Sequence, residues 1–148
     1  MSKTFLSISM CAWLTAPFLS AATVPAGTTL VVRTGATISS RDRVGRTFVT
    51  HLDQNVAVQG KTLLPAGTKV LARVETSQAD SRRLDPLSVN LTSISIGGQT
   101  VPIKTDGAFQ LEAKPRTARQ MRTGVSVGSF TVPSGTKMQF RLAQPLNL

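Results

Sequence analysis

The sequence predicts an all-β fold, a small β-barrel or sandwich, and three observations support this class. A turn followed by a strand, of the form Pro-x-Gly-Thr, occurs three times. Several other segments alternate apolar and polar residues with the period of a strand, and turn residues separate them. No segment has the continuous apolar face of an amphipathic helix. A chain of 148 residues fits a single domain.

The repeated turn-strand unit is the strongest internal similarity in the chain. Its copies are residues 24–33, 64–73 and 132–141, each with an apolar residue, Pro, a small residue, Gly, Thr and a final Arg. Pro presets φ at the first corner of a tight turn, Gly suits the position that closes it, and Thr favours a strand. An anion-binding glycine loop is the alternative, but it would need a following helix. We therefore predict structural turn positions at Pro25, Gly27, Pro65, Gly67, Pro133 and Gly135.

Three further strands are predicted between the first and second copies of the repeated unit. Residues 47–52 and 55–58 are rich in β-branched and apolar residues. Gln59-Gly60-Lys61 then predicts a turn, and residues 62–64 lead into the second copy of the repeated unit.

A longer strand and a hairpin are predicted after a polar loop at residues 77–86. Residues 87–92 alternate apolar and polar side chains, as in a half-buried strand, and apolar residues continue to position 96. Gly97-Gly98 is a hairpin signal, with the return strand at residues 101–103. Because Pro102 cannot donate to a ladder, it places this return at a sheet edge or a bulge.

Residues 1–22 predict a secretory signal peptide. Lys3 supplies the positive start, residues 5–14 form the apolar stretch, and Ser20-Ala21-Ala22 provides the small residues that signal peptidase requires. We therefore expect cleavage before Thr23 and an exported protein of the periplasm or outer envelope, or one secreted from the cell. An uncleaved anchor is the alternative, although a proline and many Ser and Thr residues make a poor spanning helix.

Composition excludes several classes of function for the remaining domain, residues 23–148. The chain has one Cys, Cys11 in the predicted signal peptide, and one His. These counts exclude a disulfide framework, a Cys-based zinc site and a multi-His catalytic metal site. Aromatic residues make up 5% of the chain and Tyr is absent, which disfavours a base-stacking nucleic-acid site. We expect no cofactor, no metal and no small-molecule substrate.

One segment matches a catalytic motif. Residues 124–128 have the G-x-S-x-G pattern of a nucleophile elbow around Ser126. An elbow requires an α/β sheet, with Asp and His following the Ser in sequence, and no His follows Ser126. A flexible Gly/Ser loop is the simpler interpretation.

Isolated titratable residues offer two other catalytic hypotheses. His51 could act as an acid or base near Asp53, whereas a lone His more commonly lies on a half-exposed strand. Asp80 and Asp85 could be paired catalytic carboxylates, but neighbouring arginines favour a polar loop with compensating charges. We therefore predict that the protein is not an enzyme.

The excess of basic residues is the most informative chemical feature. Lys and Arg number 17 against 7 Asp and Glu, for a net charge of +10. Such a surface attracts anionic lipid headgroups, envelope polymers or nucleic acid, and the alternative is a cationic surface with no dedicated partner. The candidate binding residues form two groups, the second in a basic loop at residues 114–129: Arg41, Arg43 and Arg46, then Lys114, Arg116, Arg119 and Arg122.

The order of these motifs resembles a known domain. A Pro-Ala-Gly-Thr strand at 24–33, a second copy at 63–72 and a terminal strand at 132–148 are similar to the C-terminal β-barrel domain of the core-channel subunit of type IV secretion and conjugation systems, the TrbI-like family. Pro145-Leu146 stands where that family has Asp-Leu. The chain also resembles small exported proteins of soil bacteria whose function is undefined. The resemblance implies a β-barrel and a role in an envelope assembly.

The chain differs from the channel subunits before its last strand. Those subunits cross the outer membrane there with a pair of helices, each of which needs about 20 apolar residues. The matching segment here, residues 114–129, carries four cations. The resemblance therefore implies a stand-alone binding or assembly module that docks on an envelope protein complex or on a second copy of itself. The alternative function is a cationic binder of anionic lipid, envelope polymer or nucleic acid, of which nucleic acid is disfavoured.

Overall fold

The computed structural model describes residues 22–77, 86–111 and 131–148. These residues form strands and turns with no helix, which confirms the predicted all-β class. In this part of the chain there is accordingly no helix with the length and apolarity needed to cross a membrane. The strands are β1 (Thr23–Val24), β2 (Thr29–Thr34), β3 (Ile38–Ser39), β4 (Thr47–Leu52), β5 (Val56–Val58), β6 (Lys61–Leu64), β7 (Lys69–Thr76), β8 (Leu87–Ile96), β9 (Gln99–Pro102), β10 (Phe109–Leu111), β11 (Thr131–Val132), β12 (Lys137–Arg141) and β13 (Leu146–Asn147).

A seven-stranded antiparallel sheet dominates the fold. Its order is β10-β8-β7-β4-β2-β12, and β9 also pairs with β8. Three two-stranded sheets complete the described strands, namely β1 with β13, β3 with β11 and β5 with β6. The predicted hairpin at Gly97-Gly98 is confirmed, and Pro102 lies on β9, which pairs with β8 alone among the described strands.

The large sheet curls until its two edge strands approach each other, giving a half-barrel. The rings of Phe109 on β10 and Phe140 on β12 lie 6.2 Å apart, at a tilt of 52°. An antiparallel bridge between Thr105 and Leu142 joins the same two regions, and the N–H of Asp106 donates a 2.7 Å hydrogen bond to the carbonyl of Arg141. These contacts partly close the barrel.

Strict alternation along the strands divides the sheet into an inner and an outer face. On β2, Leu30 and Val32 are fully buried, whereas Thr29 and Arg33 are exposed. The strands β4, β7 and β12 repeat this pattern in register with β2. The inner faces form one apolar cluster, whose fully buried large side chains include Leu30, Ile38, Leu64, Leu87, Ile94 and Met138.

The repeated turn-strand unit has the same geometry in all three copies, as predicted. The Thr hydroxyl donates a 2.7 Å hydrogen bond to the carbonyl of the Pro three residues earlier. The Gly adopts φ of 84°, 86° and 85° in chain order, a left-handed conformation that side chains other than hydrogen disfavour. The strands that follow are β2, β7 and β12.

Each of these turns also binds the end of a neighbouring antiparallel strand. The N–H of the turn Gly donates a 2.7 Å hydrogen bond to the carbonyl of one residue at that strand end. The N–H of that strand-end residue donates in turn to the carbonyl of the turn Thr, at 2.9–3.0 Å. The residues bound in this way are Leu142, Leu52 and Thr34. The turns of β2 and β12 therefore hold each other's strand ends, and the turn of β7 holds the end of β4.

Candidate functional site

The outer face of the sheet carries a line of basic side chains. Strand register places Lys137 of β12 opposite Arg33 of β2, Arg33 opposite His51 of β4, and His51 opposite Lys69 of β7. All four residues are exposed, because they alternate with buried residues on their strands. Neighbouring strands lie about 4.8 Å apart, so the line extends roughly 14 Å across three strand spacings. We call Lys137, Arg33, His51 and Lys69 the basic row.

Asp53 pairs with two cations of the basic row, Arg33 and Lys137, and offsets one of their two positive charges. Its Oδ1 accepts from Arg33 Nε at 2.9 Å and Nη2 at 2.6 Å, and its Oδ2 lies 2.8 Å from Lys137 Nζ. The Asp53 side chain is 9% exposed, while those of Arg33 and Lys137 are more than half exposed. Hydrogen bonds from Lys137 and then Arg33 hold the pKa of the Asp53 carboxyl below its ordinary value of 3.8. The two cations are thereby fixed side by side on the sheet.

The other two residues of the basic row, His51 and Lys69, have no acidic partner among the described residues. Neither His51 nor Lys69 forms a salt bridge with a described acid. The hypothesis that His51 acts alone as an acid or base near Asp53 stays a prediction. The carboxylate oxygens of Asp53 bind Arg33 and Lys137. His51 lies on an exposed strand position, as its alternative interpretation expected.

The final arginines of the three turn-strand units share the outer face but have different partners. Arg33 binds Asp53, as described above. The Nε of Arg141 donates a 3.1 Å hydrogen bond to the carbonyl of Gly27, in the turn of the first unit. The Arg73 guanidinium packs beside Gly45, where a Cβ would lie 3.6 Å from its Nη2. The three arginines therefore occupy one surface without converging on one ligand site.

The first predicted basic group lies in the loop between β3 and β4. Arg46 forms a salt bridge with Asp42, whose other carboxylate oxygen accepts the N–H of Ser39 at 2.8 Å. Arg41 and Arg43 are exposed and form no salt bridge with a described residue. The structure thus leaves two of these three predicted binding residues available to a partner. The loop lies beside β7, because the N–H of residue 45 donates to the carbonyl of residue 74 at 2.8 Å.

The remaining predicted site residues fall outside the described ranges. This applies to the second basic group (Lys114, Arg116, Arg119 and Arg122), to Ser126, to Asp80 and Asp85, and to residues 1–21 of the predicted signal peptide.

A shallow groove lies where the two edges of the large sheet meet. Its volume is about 240 Å³, and Asp106, Gln139 and Arg141 contribute polar atoms to its lining. Within residues 22–77, 86–111 and 131–148, no three His, Cys, Asp or Glu side chains lie together as metal ligands would.

The basic row was not predicted, because its members are distant in sequence. Lys137 and Arg33 meet only through the pairing of β12 with β2, and His51 and Lys69 join through β4 and β7. For two of the four, a sequence signal does exist: Lys69 and Lys137 occupy the same position of the repeated unit, directly after its Thr. No protein-family model matches this chain, and no curated protein shows significant similarity to it.

Proposed function

We propose that this protein is an exported, non-enzymatic binding and assembly module of the cell envelope. Its fold is all-β, and its three turn-strand units follow the order that resembles the TrbI-like domain of type IV secretion and conjugation channels. Its partner in this proposal is an envelope protein complex or a second copy of the chain. The proposal assigns this module no channel-forming role of its own.

A single observation carries this proposal: three units of one geometry hold the ends of β2, β4 and β12. These bonds fix the strands of a continuous sheet whose outer face carries charged and polar side chains beside the half-buried Val31 and Val49. A rigid, exposed sheet face is suited to contact with a large partner, because many of its side chains are held in place before binding. The groove at the sheet edges, with a volume of about 240 Å³, is open to solvent.

Capture of partners from the native cell envelope tests the proposal. A tagged mature chain, residues 23–148, is used as bait at low and at high salt. We expect one defined protein, or the untagged chain itself, to remain bound at high salt. Recovery of anionic polymer alone, and its loss at high salt, would contradict a protein partner.

A second function, electrostatic binding of an anionic polymer, is supported by the basic row. Lys137, Arg33 and Lys69 bring three cations to neighbouring strands and Asp53 offsets one of their charges, so the row keeps a positive potential that attracts polyanions and weakens with salt. The excess of Lys and Arg over the whole chain acts in the same direction. The same capture experiment separates the two functions, since only the electrostatic one depends steeply on salt.

A further inference from the structure

We infer that the basic row is a binding site for a flexible linear polymer that carries phosphate groups, lying across strands β12, β2, β4 and β7. This inference deepens the second proposed function and rests on it. It assigns the binding to four named side chains on the sheet and leaves the loop cations outside the site.

The shape of the row favours a linear polymer as its occupant. Its four side chains come from four adjacent strands, so the row runs across the strands and follows the curl of the sheet. A flexible chain can follow this curved row and place its anionic groups near the three cations Lys137, Arg33 and Lys69. A planar membrane surface would touch only part of a convex face. Charge and curvature together therefore select a polyanion.

Asp53 positions Arg33 and Lys137 while leaving some of their N–H donors unused. Arg33 gives its Nε and Nη2 to the carboxylate, and Lys137 gives one ammonium proton. The Nη1 protons of Arg33 and two protons of Lys137 remain for a ligand, because a guanidinium has five N–H donors and an ammonium has three. The nearly buried carboxylate fixes both cations, and His51 and Lys69 continue the row without such an acid.

The surroundings of the row favour recognition of phosphates over recognition of bases. Binding of single-stranded nucleic acid generally uses aromatic rings on which bases stack. The described aromatic side chains are directed elsewhere: Phe48 and Phe140 are buried, and Phe109 packs against Phe140. Contacts to a charged backbone are sequence-independent, and their strength falls with salt in proportion to the number of phosphates neutralised.

Two lysines provide a matched test of this site. Lys69 and Lys61 are both exposed and both open a strand, β7 and β6 respectively, but only Lys69 belongs to the row. The probe is long-chain inorganic polyphosphate, titrated into the full mature chain at several salt concentrations. We expect Lys69→Gln to weaken binding several-fold and to lower the slope of log K against log salt by about 1, whereas Lys61→Gln leaves both near wild type.

Asp53→Asn provides a second test, in which we expect polyphosphate affinity to rise and not to fall. It removes the carboxylate that competes for Arg33 and Lys137, so we expect tighter polyphosphate binding in a chain whose circular dichroism shows it folded. Equal losses in Lys69→Gln and Lys61→Gln would overturn the assigned site and leave electrostatic binding standing. If the wild-type protein does not bind polyphosphate at low salt, both the assigned site and the electrostatic function are overturned. Binding to phosphatidylglycerol vesicles without binding to polyphosphate would overturn the choice of a polymer.

Discussion

The ammonium of Lys137 lies 2.8 Å from Oδ2 of Asp53, although their strands are not neighbours in the sheet. Asp53 directly follows β4 and Lys137 begins β12, and β2 lies between those strands. The same carboxylate binds Arg33 on β2. One acid thus ties three strands together on the outer face, and several properties of the protein depend on it.

The pH dependence of stability should report the ion pairs of Asp53. Its pKa is lowered in the folded protein, so the folded state binds fewer protons than the unfolded state near pH 4. The contribution is therefore fully present above the unfolded value and is lost as the pH falls through the lower, folded value. We expect Asp53→Asn to be less stable than wild type at neutral pH, and the difference to shrink below about pH 4.

Urea unfolding of both proteins from neutral to strongly acidic pH measures this difference. Asp106→Asn is the control, because Asp106 is an exposed acid outside every salt bridge of the described residues. A difference between wild type and Asp53→Asn that stays constant down to pH 2 would show that the carboxylate charge does not stabilise the fold.

The three turn Thr residues should contribute similarly to stability. Each donates a 2.7 Å hydrogen bond to a Pro carbonyl from a half-buried position. We expect Thr28→Val, Thr68→Val and Thr136→Val each to lower the free energy of unfolding by about 0.5–1.5 kcal/mol, the usual net contribution of such a bond. Chemical denaturation measures the losses. Thr62→Val is the control, since Thr62 is exposed and its hydroxyl makes no hydrogen bond to a described residue. A loss confined to one turn would contradict the equivalence.

The aromatic contact between the sheet edges should be energetically coupled. Phe109 and Phe140 come from β10 and β12, the two ends of the curled sheet. A double-mutant cycle with Phe109→Leu and Phe140→Leu should give a coupling of about 0.5–1.5 kcal/mol. Additive effects would mean that the edges do not meet in solution.

Maturation should occur just before the first strand. The structure begins β1 at Thr23, where we predict cleavage, and β1 pairs with β13 through Thr23 and Asn147. We expect the exported protein to have the mass of residues 23–148. Ala22→Arg should abolish processing, because signal peptidase requires a small residue at this position. A full-length chain retained in the membrane fraction of wild-type cells would support the uncleaved anchor instead.

Much of the fold was predictable because its signals are local. Each Pro-x-Gly-Thr turn predicts its own strand without knowledge of a partner, and the alternation in residues 87–92 lies within β8. The double glycine at 97–98 likewise determines its own hairpin. Strand β3 was not predicted, and neither were the separate pairings of β1, β11 and β13. Two residues carry no period, and each of these strands exists only through pairing with a distant segment.

The candidate site was far less predictable for the same physical reason. Arg41, Arg43 and Arg46 form a visible cluster in the sequence, yet Arg46 is neutralised by Asp42. The basic row is invisible in the sequence, because it depends on which strands are neighbours and on their register. Nothing in the sequence indicated that Asp53 contacts Lys137, because this contact spans the intervening strand β2.

The turn before β2 binds the end of β12, and the turn before β12 binds the end of β2. This mutual bonding has a consequence for the order in which the chain can fold. A chain made or translocated from its N-terminus releases β2 early, but β2 lacks one neighbour until residues 137–141 arrive. Contacts between such distant segments form late, because the intervening loop must first be closed at an entropic cost. Strands β2, β4, β7, β8 and β9 follow one another in the sheet in chain order, so they can pair as the chain emerges. The pairing of β12 with β2 is therefore expected to form last, and the sheet is complete only once residues 137–141 are present.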